Sequence, residues 1–261
     1  MRRAENGTAK VRRHEAILAE LRASPAIRIA ELAAAHAVST ETIRRDLDAL
    51  SAAGLISRTY GGATGAPLAD EPLLDDRYRV NPQQRLVLAR AVMPLVEDGD
   101  SVMIDAGATT IYVARRLAAE RNDLSVVTTS FGVASALAAN PSMQIRICPG
   151  EYDPRDGGVT GPDALDYLRH FHVTHAIIGA SRLDTSGPSD FNSASVWIKR
   201  TMIKQAEQTI LVLDHEKLEK TGFERICPLG DIDWLVTDAS VGGDLGKAVN
   251  KAKVKVQVAV D

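Results

Sequence analysis

The chain has 261 residues, with 31 lysines and arginines against 34 aspartates and glutamates, for a formal net charge of −3. Apolar residues make up 45% and charged ones 25%, which excludes a disordered or fibrous chain, and 4% aromatics leave a core built mainly from Leu, Val, Ile and Ala. Two cysteines, Cys148 and Cys227, exclude a disulfide framework and a four-thiolate zinc site. No run approaches the ~18 apolar residues of a membrane span, and the first residues lack the apolar segment of a secretory leader. A soluble, cytoplasmic chain with no membrane partner is expected. The charge is uneven: residues 1–64 carry ten basic and seven acidic side chains, the remainder 21 and 27. A basic first quarter on an acidic body suggests that one end meets a polyanion.

Residues 10–21 place Val11, Ile17, Leu18 and Leu21 at helical spacing, and Ser24-Pro25 stops that helix. A short second helix is predicted over residues 29–35. Ser39 then reads as an N-cap for a third helix, from about residue 40 to 53, with Ile43, Leu47 and Leu50 on one face and Gly54 as its stop. Two short helices joined by a tight turn form the helix-turn-helix layout, whose second helix offers its first turns to base edges and phosphates. Here those turns present Thr40, Glu41, Thr42, Arg44 and Arg45. Residues 55–62 read as two strand fragments around a tight turn, a wing with Arg58 and Tyr60 available to DNA. On the helix pattern alone, a helical subdomain with a merely solvated Arg44-Arg45 pair is the alternative.

Residues 66–72, with Pro67 and Pro72, read as an exposed connection. Beyond residue 83, apolar strands at 101–104, 124–128, 143–148, 175–178, 209–213, 234–236 and 254–260 alternate with helices such as 109–117, 133–139 and 196–206. This is the pattern of an α/β domain with a largely parallel sheet, whose ligands bind at the carboxyl ends of the strands. Asp105-Ala106-Gly107-Ala108-Thr109-Thr110 follows the first strand and opens a helix. Its small residues, free N–H groups and hydroxyls suit a phosphate or carboxylate, and a plain turn capped by Thr109 fits equally well. Neither the G-x-G-x-x-G nor the Walker A spacing is present, which disfavours a nucleotide. Thr128-Thr129-Ser130 and Asp156-Gly157-Gly158-Val159-Thr160-Gly161 repeat the logic, and three such loops favour an anion site. Lys199, with Asp190-Phe191-Asn192 before its helix, and Asp214-His215-Glu216-Lys217 after a later strand offer a point charge and groups for sugar hydroxyls. His170, His172 and His175 have no acidic or thiol partner close in sequence, so neither a metal nor a cofactor is expected. Cys148 and Cys227 sit among apolar neighbours and read as packed thiols.

The string Val38-Ser39-Thr40-Glu41-Thr42-Ile43-Arg44-Arg45-Asp46-Leu47, with Gly54-Leu55-Ile56 and Arg58-Thr59-Tyr60-Gly61-Gly62-Ala63, closely resembles the winged helix-turn-helix of DeoR-family bacterial transcriptional repressors. The body resembles that family's effector domain through the three loop strings above, Lys199-Arg200-Thr201-Met202-Ile203 and Leu213-Asp214-His215-Glu216-Lys217. Within the family it looks most like the glycerol-3-phosphate regulon repressors. The resemblance implies an α+β winged helix-turn-helix domain over residues 1–64, a linker over 65–82, and an α/β effector domain over 83–261, similar to ribose-5-phosphate isomerase. Operator contacts are implied for Ser39, Thr40, Glu41, Thr42, Arg44, Arg45, Arg58, Tyr60, Gly61 and Gly62. Effector contacts are implied for Asp105, Gly107, Ala108, Thr109, Thr110, Thr129, Ser130, Gly158, Gly161, Ser181, Arg182, Asp190, Lys199, Asp214 and Lys217.

The implied function is repression of a carbohydrate or polyol operon, relieved by a phosphorylated sugar or polyol, by a homodimer or homotetramer on double-stranded DNA. Two departures stand out. Ser181-Arg182 falls where relatives carry an aspartate and a glycine, and Ser195 falls where a glutamate usually precedes the lysine by four residues. The missing carboxylates speak against the competing reading, a sugar-phosphate isomerase or deaminase with an added DNA-binding module. They leave glycerol 3-phosphate as one candidate effector among several.

Overall fold

The computed structural model describes residues 26–52, 56–59, 62–65 and 81–259, together with Arg13, His14, Ala16, Ile17 and Glu20. The chain forms two compact units, residues 1–70 and 71–261. The linker expected at residues 65–82 lies outside the described residues except at its ends.

In the first unit, α1 (Ile29–Ala35) and α2 (Thr40–Ala52) match the second and third predicted helices. The five described positions between residues 13 and 20 are helical as well. Ile17, Ile29, Leu32, Ile43, Leu47 and Leu50 form a small core, so the apolar face of each helix is the one it buries. The turn between α1 and α2 runs through Ala37, whose left-handed φ of 51° lets Val38 N–H reach back to Ala33 O at 3.1 Å. Ser39 caps α2 by accepting the Thr42 N–H at 3.1 Å. The wing is the antiparallel hairpin β2 (Ile56–Thr59) and β3 (Gly62–Gly65), with Thr59 opposite Gly62. A third strand, β1 (Ala26–Arg28), pairs with β3 and gives the order β1-β3-β2. β1 is not legible in the sequence, because three residues are too few to show a two-residue period.

The second unit is built on seven parallel strands: β4 (Ser101–Ile104), β5 (Ser125–Thr128), β6 (Gln144–Ile147), β9 (Val173–Ile178), β12 (Ala206–Val212), β14 (Trp234–Thr237) and β15 (Lys255–Val258). Their order is β15-β14-β12-β9-β4-β5-β6, and every neighbouring pair is parallel. Alternate residues on the inner strands point to opposite faces. Val102, Ile104, Val126, Ile177, Val212 and Val236 pack with α3 (Pro82–Val92), α4 (Ala108–Glu120) and α5 (Phe131–Leu137). Met103, Val127, Ala176, Ile178, Leu211 and Leu235 pack with α6 (Pro162–Leu168), α7 (Ser193–Lys204) and α8 (Gly243–Lys251). That double covering is why the strands read as short continuous apolar runs.

Two antiparallel elements escape sequence analysis. They are the hairpin β7 (Glu151–Asp153) with β8 (Gly158–Thr160), and a small sheet of β10 (Arg182–Asp184), β11 (Gly187–Asp190) and β13 (Glu224–Arg225). Each strand has four residues or fewer, too short for a pattern to emerge.

One buried charge fixes α2 within its unit. Asp46 is 2% exposed and accepts Arg13 Nε at 2.6 Å, with His14 Nε2 at 3.0 Å from its other oxygen. Burial pushes its carboxyl up, but the hydrogen bonds from Arg13 and His14 and their charges outweigh this and hold it below the usual range. A depressed carboxyl stabilises the fold above its unfolded pKa, and the contribution is lost as the pH falls through the folded value. Asp46→Asn should therefore loosen α2 by about 1–3 kcal/mol at pH 7. The difference should vanish in acid well below pH 4, as read by amide exchange of residues 43–50 in the full chain.

Candidate nucleic-acid interface and sensor site

The outer face of α2 carries the expected DNA contacts. Ser39, Thr40, Glu41, Arg44 and Arg45 are exposed and Thr42 is half-buried. Glu41 lies 3.9 Å from Arg44 and 3.3 Å from Arg45, pairs too exposed to be worth more than about 1 kcal/mol each. A phosphate can displace them. Arg58 lies on β2 opposite Ala63, Gly62 opens β3, and Tyr60 and Gly61 fall outside the described residues. Asp46 was not singled out in the sequence, although a charge on the face of Ile43, Leu47 and Leu50 was a readable signal.

In the second unit the chain runs outward from β4 to β5 and β6, then returns to build β9, β12, β14 and β15 on the other side. The order therefore reverses between β4 and β9. At such a switch point the loops leaving two adjacent strands diverge and open a crevice beyond their carboxyl ends. Asp105 follows β4 and Gly179 follows β9; across the crevice the Gly179 N–H donates to Asp105 Oδ2 at 3.1 Å. A cleft enclosing about 250 Å³, open solvent at its mouth included, lies here. It is lined by Asp105, Ala106, Thr129, Asp156, Gly158, Val159, Thr160, Ser195, Ile198 and Lys199.

Three predicted loops thus converge. The contact that brings in the third is Gly158, where a Cβ would come within 2.4 Å of Ala106 Cβ. Val159 N–H also donates to Thr129 O at 2.7 Å. Only glycine lets the β7–β8 hairpin lie this close over the other two loops.

Lys199, 6% exposed on α7, ion-pairs with Asp190 Oδ2 and lies 3.5 Å from Asp105 Oδ2. Asp190 in turn accepts the N–H of Ser181 at 3.0 Å and the Ser181 hydroxyl. Burial works against the Lys199 charge, but Asp190, Asp105 and Asp156 outweigh it and hold the ammonium above the usual lysine range. Asp105 is 1% exposed, and burial pushes its carboxyl up to about 6, against the downward pull of Lys199 and the Gly179 N–H. Its Oδ1 is buried with no hydrogen-bond partner among the described residues. Asp156 Oδ2 accepts Asn192 Nδ2 at 2.9 Å and the Ser195 hydroxyl, so the two halves of the cleft are tied through the start of α7.

Other expected contacts have local duties. The Thr110 hydroxyl donates to Asp105 O at 3.0 Å and Gly107 O at 2.9 Å, and Thr109 is buried beside it. Ser130 caps α5 by accepting Val133 N–H. Gly107 is the N-cap of α4, which starts at Ala108 without a side-chain cap, so its first N–H groups have none to bind. Gly161 precedes α6 in a left-handed conformation at φ 99°. Arg182 donates to Ser181 O at 2.7 Å and stacks over Phe191 at 5.6 Å. Asp214 and Lys217 sit 3.7 Å from each other after β12 and do not line the cleft. Asp156, Ser195 and Ala106 were not among the expected contacts. The glycine-rich loop was the signal for Asp156; Ala106 carries none.

Among the described residues no group of three or more His, Cys, Asp or Glu could hold a metal, and no helix is long and apolar enough to cross a membrane. His172 and His175 do have acidic neighbours, Glu207 at 3.7 Å and Asp100 at 3.2 Å, on residues distant in sequence. Both cysteines are buried free thiols, pushed up to about 12 by burial.

Residues 80–239 match the DeoR C-terminal sensor domain, and residues 13–66 match the DeoR-like helix-turn-helix domain. The chain belongs to the DeoR family. It is 33% identical over 226 residues to the glycerol-3-phosphate regulon repressor of Haemophilus influenzae, covering 86% of this chain and 88% of that one. It is 29% identical to the putative aga operon transcriptional repressor of Escherichia coli O157:H7, over 94% and 92% of the two chains. Ribose 5-phosphate isomerase A of Methanocaldococcus jannaschii is similar in structure at a TM-score of 0.40, with 17% identity over 54% of this chain and 56% of that one. A likeness of that degree says nothing about chemistry.

Two outcomes follow from this geometry. Asp105 is held ionised at neutral pH against a raised pKa, so its charge costs stability above its unfolded pKa. Asp105→Asn should raise the melting temperature of the ligand-free chain at pH 7, by on the order of 1–3 kcal/mol of stability, and the gain should disappear near pH 4. Gly158→Ala should lift the hairpin off Ala106 and cost about 1–3 kcal/mol. Operator binding should survive that change while the response to ligand is lost, as seen in paired gel-shift and thermal-shift titrations.

Proposed function

We propose that this member of the DeoR family is a sequence-specific DNA-binding repressor of a carbohydrate or polyol catabolic operon. A small phosphorylated sugar or polyol binds the switch-point cleft and releases the protein from its operator. The observation that carries the DNA half is α2, capped by Ser39 and anchored by Asp46, with Arg44 and Arg45 58% and 79% exposed on its first turns. The sensor half is supported by the cleft's place at the strand ends and by the uncapped start of α4, where backbone N–H groups and the helix dipole favour an anion.

The protein acts as a homodimer or homotetramer in the cytoplasm, setting two winged helices on half-sites ~34 Å apart or a multiple of it. A coupling of ~1–3 kcal/mol between cleft and DNA unit is enough for a 5–150-fold change in operator affinity. The protein is not an enzyme. Where an isomerase reading needs a carboxylate base it has Ser181 and Arg182, and Ser181 is engaged with Asp190. Arg44→Ala and Arg45→Ala should each weaken binding to an operator selected from a random DNA pool by at least about tenfold. Thermal shifts with phosphorylated polyols should be unaltered in both. Retention of full gel-shift affinity in both variants would remove α2 as the reading helix.

A further inference from the structure

Two carboxylates and a single ammonium face the cleft, with a third carboxylate, Asp190, bound behind Lys199. Among the described residues that line it, Lys199 is the only cation, and it is engaged with Asp190 and Asp105. Asp105 lines the cleft; its Oδ2 already takes the Gly179 N–H, whereas its Oδ1 is buried and without a hydrogen-bond partner among the described residues. A buried acceptor left without a donor is costly, and a phosphate ester in its dianionic form cannot supply one, because all its free oxygens are acceptors facing a carboxylate. A hydroxyl can. On the effector reading above, the anionic end of the same ligand is taken by the first turn of α4, a 13-residue helix with no side-chain cap that begins three residues after Asp105.

We propose that Asp105 Oδ1 is a specificity-determining acceptor for a hydroxyl of the effector, and that Lys199 is the counter-charge holding Asp105 and Asp190 in place rather than the ligand of the phosphate. The proposal rests on the effector reading above and divides its work: α4 holds the anion, and the carboxylate wall counts hydroxyls. It also gives the acidic lining a purpose that simple anion binding does not.

The test is calorimetric titration of the full chain with linear polyol phosphates of three to six carbons and, separately, with inorganic sulfate, an anion that carries no O–H donor. Asp105→Asn should lower affinity for the tightest polyol phosphate by about tenfold, and Asp105→Ala, which offers no polar atom, by more. Both variants should bind sulfate as well as the wild type or better, since a repelling charge is gone. Equal losses for polyol phosphate and sulfate would make Asp105 a merely structural residue and overturn the proposal. So would an undiminished affinity for the polyol phosphate. If no polyol phosphate binds the wild type, the effector reading fails first and this assignment falls with it.

Discussion

The ion pair of Lys199 with Asp190, with Asp105 close by, is the contact around which the sensor unit is organised. It joins the end of β4, the end of β11 and the middle of α7, three elements far apart in sequence. Buried charges are expensive to desolvate, and apolar replacements often serve stability as well or better. What such a network supplies here is position: each carboxylate oxygen has a defined direction. Asp190 is fixed further by Ser181, and Asp105 by Gly179 from the neighbouring strand. The one oxygen left over is Asp105 Oδ1, which has no hydrogen-bond partner among the described residues.

The switch point explains why these groups meet where they do. Between β4 and β9 the sheet changes direction, so the connections leaving the two strands part and leave room beyond their ends. The β7–β8 hairpin then closes that room from one side, resting on Ala106 and Thr129 through Gly158. A side chain at that position has no space. The start of α7 reaches back to the hairpin through Asn192 and Ser195, both bonded to Asp156. The cleft is thus walled by the hairpin, the β4–α4 loop and α7 together.

The first unit follows a similar design on a smaller scale. Its core is only a handful of Leu, Ile and Val side chains, and a buried ion pair adds the directional constraint that so few apolar contacts leave loose. Asp46 ties α2 to the chain before it, while the opposite face keeps its cations in water. Exposed pairs such as Glu41 with Arg45 are weak enough to be exchanged for phosphate contacts.

The sequence by itself determined the elements and their classes. The three-residue and four-residue spacing of Ile43, Leu47 and Leu50, the cap at Ser39, and the short apolar runs of the sheet were all legible, because each reflects a local period or a local hydrogen bond. The family resemblance was legible too, in strings such as Thr42-Ile43-Arg44-Arg45-Asp46-Leu47. Strands of two to four residues were not, since β1, β10 and β13 owe their existence to partners elsewhere. Tertiary structure alone decided which members of the polar loops share a cleft. It turned the Thr110 hydroxyl to the carbonyls of Asp105 and Gly107 and Ser130 to capping, placed Asp214 and Lys217 outside the lining, and brought in Asp156 and Ser195. It also engaged Lys199 with carboxylates nine and 94 positions away in sequence. Those outcomes depend on strand order and on a contact as close as Gly158 to Ala106, and neither leaves a period in the chain, because both are set by the packing of segments that are not neighbours in it.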